Sequence, residues 1–127
     1  MGKLEADVKR SIYKKLINLE TMGYILWTER LQSGQIHNGN QHIYMSRSGT
    51  PDFIVVMINK EGRLTVIFIE AKKEGVFELR SGVQAEWRAK YGGLHSDMIY
   101  IIAQSVSEVS GIINTVGIDH VARMELK

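Results

Sequence analysis

Apolar residues recur at Leu4, Val8, Ile12, Leu16 and Leu19, with polar positions between them. Steps of three and four residues place them on one stripe of a helix, predicted over Leu4 to Met22 and ended by Gly23. The pattern then changes: Tyr24 to Arg30 reads as a strand, and "LQSGQIHNGNQ", Leu31 to Gln41, as a polar loop rich in glycine and asparagine. "HIYMSRSG" after it offers one more short strand.

Two apolar runs, Phe53 to Ile58 and Leu64 to Ile69, flank the turn "NKEGR", which predicts an antiparallel hairpin. A helix from Gly82 to Tyr91 follows, closed by Gly92 and Gly93, then an apolar strand from Asp97 to Ala103. Ser105 and Glu108 have the spacing of a capping box and open a helix running to about Val116. The end, "HVARMELK", reads as a final strand or a frayed helix. This order of helix, strands, helix, strand and helix predicts a single α/β domain over residues 1–127, one mixed sheet with helices on its faces.

A chain of 127 residues suits one domain, and 44% hydrophobic with 24% charged residues is a globular rather than a disordered profile. The absence of cysteine rules out disulfides and thiolate metal ligands and suits a reducing compartment. No apolar run approaches the roughly twenty residues needed to cross a bilayer. "MGKLEADVKR" has no apolar segment behind its charges, so the expectation is a soluble, cytoplasmic chain without a membrane partner. A net charge of +2 permits a nucleic-acid partner without requiring one.

The predicted hairpin poses a chemical question, because Asp52 opens one strand and Glu70, Ala71 and Lys72 close the other. A carboxylate at the apolar tip of a strand is costly unless a metal ion, a salt bridge or water satisfies it. If Ile58 faces Leu64, Asp52 falls opposite Glu70, and directly opposed residues share a face with Cβ atoms about 5 Å apart. Lys72 points the same way as Glu70. A slip of one residue would send the two acids to opposite faces. In this register they repel, so either one takes up a proton or a cation sits between them. A hard divalent ion fits, since Mg²⁺ takes one or two carboxylates with other oxygens, and the Ala71 carbonyl offers one. Lys72 then supplies a cation able to orient a water or to stabilise charge on a phosphate. The plainer alternative is a turn acid at Asp52 and a Glu70 paired with Lys72 or Lys73 at a solvated edge.

The residues "SGTPDFIVV", "IFIEAKKEG" and "GVQAEW" carry a resemblance. "GTPD" with "EAK" eighteen residues beyond the aspartate resembles the PD-(D/E)XK nuclease signature. This form of it is similar to the viral-type replication-repair nuclease family (VRR-NUC), from the first helix to about Ala103. The resemblance implies a restriction-endonuclease-like fold with an αβββαβα core, a Mg²⁺ or Mn²⁺ cofactor and phosphodiester hydrolysis in structured DNA. It implies Asp52 and Glu70 as metal ligands and Lys72 as the catalytic lysine. Small stand-alone members resemble Holliday junction resolvases in forming homodimers, which makes branched DNA the expected partner.

The resemblance also calls for an acid in the first helix. Glu5 lies about 50° from the centre of the apolar stripe and Asp7 about 110°. Glu5 is thus the better candidate to reach the metal through a bound water, or else it is a solvated acid complementing the helix dipole. Gln84 matches the glutamine the family places near its active site, and Ser81 to Gln84 also fits a capping box. Arg88 stands where related exonucleases carry tyrosine, which lowers support for an exonuclease. Arg30, Arg47, Lys73, Arg80 and Arg88 are candidate phosphate contacts or ordinary surface charges, and the loop from Leu31 to Gln41 is a candidate DNA contact. Trp27 and Trp87 read as core or interface packing. His37, His42, His95 and His120 lack a metal-ligand spacing. The leading expectation is a metal-dependent endonuclease on branched DNA. The alternatives are a flap- or sequence-specific nuclease and a DNA-binding module that keeps the fold without catalysis.

Overall fold

Helix α1, Glu5–Thr21, turns Val8, Ile12, Leu16 and Leu19 into the core, as their spacing predicts. Leu4 departs from that expectation: it caps the helix from outside the first turn and is 71% exposed. The computed structural model describes residues 4–31, 35–38, 41–44, 49–76 and 82–117, with backbone only for 35–38 and 41–44. At the end of α1, Gly23 adopts φ 84°, the left-handed conformation that closes a helix, and Tyr24 N–H donates to Leu19 O.

Strand β1 covers only Trp27–Arg30, shorter than the expected Tyr24 to Arg30: Tyr24 N–H bonds back to Leu19 O of the helix, and the link to Val56 O begins at Leu26 N–H. The polar segment after it is not simply a loop. Gln35–Asn38 (β2) and Gln41–Tyr44 (β3) pair antiparallel as a separate two-stranded sheet. Residues 45–48, the rest of the expected short strand, lie outside the described residues, as does the C-terminal "HVARMELK" stretch.

Phe53–Ile58 (β4) and Leu64–Ala71 (β5) form the expected hairpin, with β5 running two residues further than predicted. Helix α2, Gly82–Tyr91, leads to β6, Met98–Ala103, and α3, Val106–Val116, closes the described chain. The main sheet runs β1-β4-β5-β6, with β5 and β6 parallel and the other neighbours antiparallel. A parallel pair needs a crossover, and α2 lies in it. Setting the β2–β3 hairpin aside, the element order is αβββαβα, as expected, and the architecture is a mixed open sheet flanked by helices.

Alternation along β5 divides the two faces. Ile67, Ile69 and Ala71 join Phe53, Val55 and Met57 in one buried cluster with α1 and with Val109 and Ile113 of α3. Each such aliphatic residue contributes about 1.5–3 kcal/mol by leaving water. On the other face Phe68 meets Trp87 of α2 edge-on at 4.9 Å. Trp27, in contrast, is 43% exposed and does not belong to the core. At α3 only half of the predicted capping box forms: Ser105 Oγ accepts from Glu108 N–H, while the Glu108 carboxylate accepts from Gln104 N–H. None of the described helices is long and apolar enough to cross a membrane.

Candidate active site

The site begins with register. Ile58 pairs with Leu64 and Phe53 with Ile69, so one further step brings Asp52 level with Glu70. A direct contact fixes the alignment: Ala71 N–H donates to Asp52 Oδ2 at 2.8 Å. The two acids expected to converge are therefore held across adjacent strand ends. Ala71 meets Asp52 through its N–H.

Lys72 follows at the end of β5 and is 1% exposed, an unusual place for an ammonium group. Its Nζ lies 3.7 Å from Glu70 Oε1 and donates to Gln84 Oε1 at 3.3 Å. Gln84 Nε2 in turn donates to Glu70 Oε1 at 3.0 Å. Gln84 thus joins the site from the first turn of α2, bridging the acid and the lysine. Ser81, its expected capping partner, lies outside the described residues.

Gly49, the first residue of "GTPD", explains how α2 comes so near. Its φ is +87°, and an added Cβ would run into the Val83 carbonyl, with the Val83 carbonyl carbon at 2.8 Å. The glycine lets α2 pack directly on the turn that leads into Asp52. Gly49→Ala combines a left-handed strain with a backbone collision and is expected to cost about 2 kcal/mol or more. Urea denaturation checks this, and an unchanged midpoint would show that α2 does not depend on this contact.

The electrostatics follow from burial. Glu70 is 2% exposed, and its Oε2 has no hydrogen-bond partner among the described residues. Burial first, then Asp52, pushes the Glu70 carboxyl up to about 7; Lys72 and Lys9 pull it down, and Glu5 adds to the rise. Tyr100 of β6, level with Phe68, also has a buried hydroxyl without a partner among the described residues, and burial followed by Glu70 pushes its phenol up.

Two residues of α1 complete the cluster. Glu5, the expected helix acid, reaches it beside a residue that sequence reasoning missed. Lys9 Nζ lies 3.2 Å from Asp52 Oδ1 and 3.6 Å from Glu5 Oε2. Its signal was available in the sequence, since Lys9 is four residues from Glu5 and shares its side of the helix.

The expected phosphate contacts are more scattered. Arg30 is exposed, opposite Phe53 and so one residue from Asp52; Lys73 is exposed beside Lys72. Arg88 is exposed, its guanidinium 5.2 Å from the centre of the Tyr100 ring. Arg47 and Arg80 lie outside the described residues.

No set of three or more His, Cys, Asp or Glu among the described residues is grouped so as to hold a metal ion. The donor chemistry nonetheless fits a hard cation. Asp52 and Glu70, level at adjacent strand ends, are oxygen donors of the kind such an ion takes, and Glu70 Oε2 is buried without a hydrogen-bond partner among the described residues. Comparison of the chain with protein-family models, with curated proteins and with solved structures finds no match in any of the three.

Proposed function

We propose that the chain is a Mg²⁺- or Mn²⁺-dependent endonuclease that hydrolyses phosphodiester bonds in branched DNA, four-way junctions foremost, as a homodimer. The observation that carries this reading is the convergence of Asp52, Glu70 and buried Lys72, with Glu70 Oε2 lacking a partner among the described residues. The resemblance of "GTPD", "EAK" and the glutamine helix to the nuclease signature supports it from the sequence side.

In this reading Asp52, Glu70 and the Ala71 carbonyl hold the divalent ion, with Glu5 acting through a water. A divalent ion held there would acidify a water and offset negative charge on the phosphate. Lys72 stabilises the charge that develops on the phosphate oxygens, and burial strengthens that effect by excluding water. Gln84 holds Lys72 and Glu70 in mutual register. Arg30, Arg47, Lys73 and Arg88 would contact the DNA backbone.

A second reading is favoured by one specific feature: both oxygens of Asp52 are already engaged, Oδ1 by Lys9 and Oδ2 by Ala71 N–H. A module that binds DNA without cutting it would be built that way. Labelled junctions, flaps, duplexes and single strands, incubated with Mg²⁺, Mn²⁺ or EDTA, separate the two. Junction cleavage that EDTA abolishes is the expected result. Binding without cleavage in both metals selects the second reading, while preferential cutting of flaps or of one duplex sequence selects a different nuclease specificity. Sedimentation with and without junction DNA reads the dimer.

A further inference from the structure

The ion pairs made by Lys9 are not part of the nuclease signature, and they have a consequence for metal binding. Lys9 sits one turn after Glu5 on α1, fixed there by its neighbour Val8, which is 3% exposed in the core. From that position its ammonium touches both Asp52 Oδ1, at 3.2 Å, and Glu5 Oε2, at 3.6 Å. All three side chains are largely removed from water, with 26% of Lys9, 17% of Asp52 and 18% of Glu5 exposed. Glu70 feels the same ammonium.

We propose that Lys9 is a built-in counter-cation that pairs with Asp52 and Glu5 in the metal-free protein and must release Asp52 when a divalent cation binds. This inference rests on the reading of Asp52 and Glu70 as a metal site. Two cations held against one carboxylate oxygen repel each other strongly in a poorly solvated site. Lys9 therefore competes with the metal. Its flexible four-carbon stem lets the ammonium swing toward water without moving the backbone of α1. The competition has a measurable cost: if Lys9 holds Asp52 about nine-tenths of the time, the apparent affinity for the metal is about tenfold weaker than the intrinsic one. The same pairing protects the fold, since without it the carboxylates would repel one another whenever metal is scarce.

Titrating the full chain with Mn²⁺ by isothermal calorimetry tests this, using the wild type, Lys9→Met, Lys9→Gln and Lys9→Arg, each checked for its fold by circular dichroism. Lys9→Met and Lys9→Gln are expected to bind Mn²⁺ about tenfold more tightly. In EDTA they are expected to unfold at a lower denaturant concentration than the wild type. Lys9→Arg keeps the cation and is expected to stay close to the wild type in both measurements. Binding that is unchanged or weaker in the two neutral variants overturns the inference while leaving the metal site standing. Folded wild-type and neutral variants that all fail to take up Mn²⁺ bring down the metal site, and the inference with it. Uptake by the neutral variants alone supports both.

Discussion

Under the proposed function, Asp52→Asn is expected to lower cleavage by at least about a hundredfold while keeping most of the stability, whereas Asp52→Ala is expected to lose both cleavage and stability. The difference follows from the two tasks of this carboxylate. Oδ2 accepts the Ala71 N–H, and Ala71 is fully buried. Alanine leaves that N–H without an acceptor, which costs about 1–3 kcal/mol. Asparagine keeps an oxygen for that N–H, but it loses the charge and the second acceptor, which Lys9 holds. A carboxylate that serves solely to join the strand ends would be replaced by asparagine with little change in cleavage. One that binds a metal would not. Single-turnover cleavage of a junction, measured beside urea denaturation, therefore separates structure from chemistry. DNA affinity is expected to hold in both variants, because the substitution removes negative charge from a surface that must accept phosphates. Near wild-type cleavage by Asp52→Asn would sink the catalytic role.

The strand register that places Asp52 was legible before any coordinates, and the reason is local. Five residues with a glycine join two strongly apolar runs, and a one-residue slip would have turned the apolar set of one strand, such as Phe53 and Val55, away from the core. The first helix was legible for the same kind of reason, since its four buried residues follow a single stripe. Leu4 fits the predicted stripe yet lies just outside the helix, because periodicity cannot tell the last residue before a helix from the first residue within it. The β2–β3 hairpin was hidden by its composition. "QIHNGNQHIY" is too polar to look like paired strands, yet its Gly39-Asn40 step between "QIHN" and "QHIY" is a two-residue hairpin signal, and Ile36 pairs with Ile43.

Within the site, the residue types predicted roles more readily than the partnerships. Glu70 and Lys72 could be placed on one face by alternation, but not Gln84 between them, because that contact depends on how closely α2 packs over Gly49. Lys9 lies one turn beyond Glu5 but matches no residue that the resemblance calls for in α1. An ammonium at the next turn gains its meaning only when Asp52 is brought against it from a strand more than forty residues away.

In EDTA the chain is expected to lose on the order of 3 kcal/mol of stability between about pH 5 and pH 8. Glu70 is the cause. Burial and Asp52 hold its folded value at about 7, above the ordinary glutamate value of about 4.3. Below that ordinary value both the folded and the unfolded chain carry the proton, and the contribution is fully present. Between the two values only the folded protein keeps it, so raising the pH withdraws a proton from the folded state alone and the free energy of unfolding falls. Above about pH 7 the contribution is lost. Asp97 behaves oppositely: its hydrogen bond with Arg63 holds it below the usual carboxylate range, so its effect belongs to more acidic solutions. Urea denaturation across this range, repeated with Glu70→Gln, isolates the slope, and a slope that survives the substitution would clear Glu70 of responsibility. Magnesium provides the sharper test. A cation bound beside Glu70 favours its ionised form, so Mg²⁺ is expected to flatten the slope. At tenfold excess over its dissociation constant it should restore about 1.4 kcal/mol near pH 8. Stability that stays equally pH-dependent in saturating Mg²⁺ would mean that no ion reaches Glu70, and a nuclease mechanism built on that carboxylate could not operate.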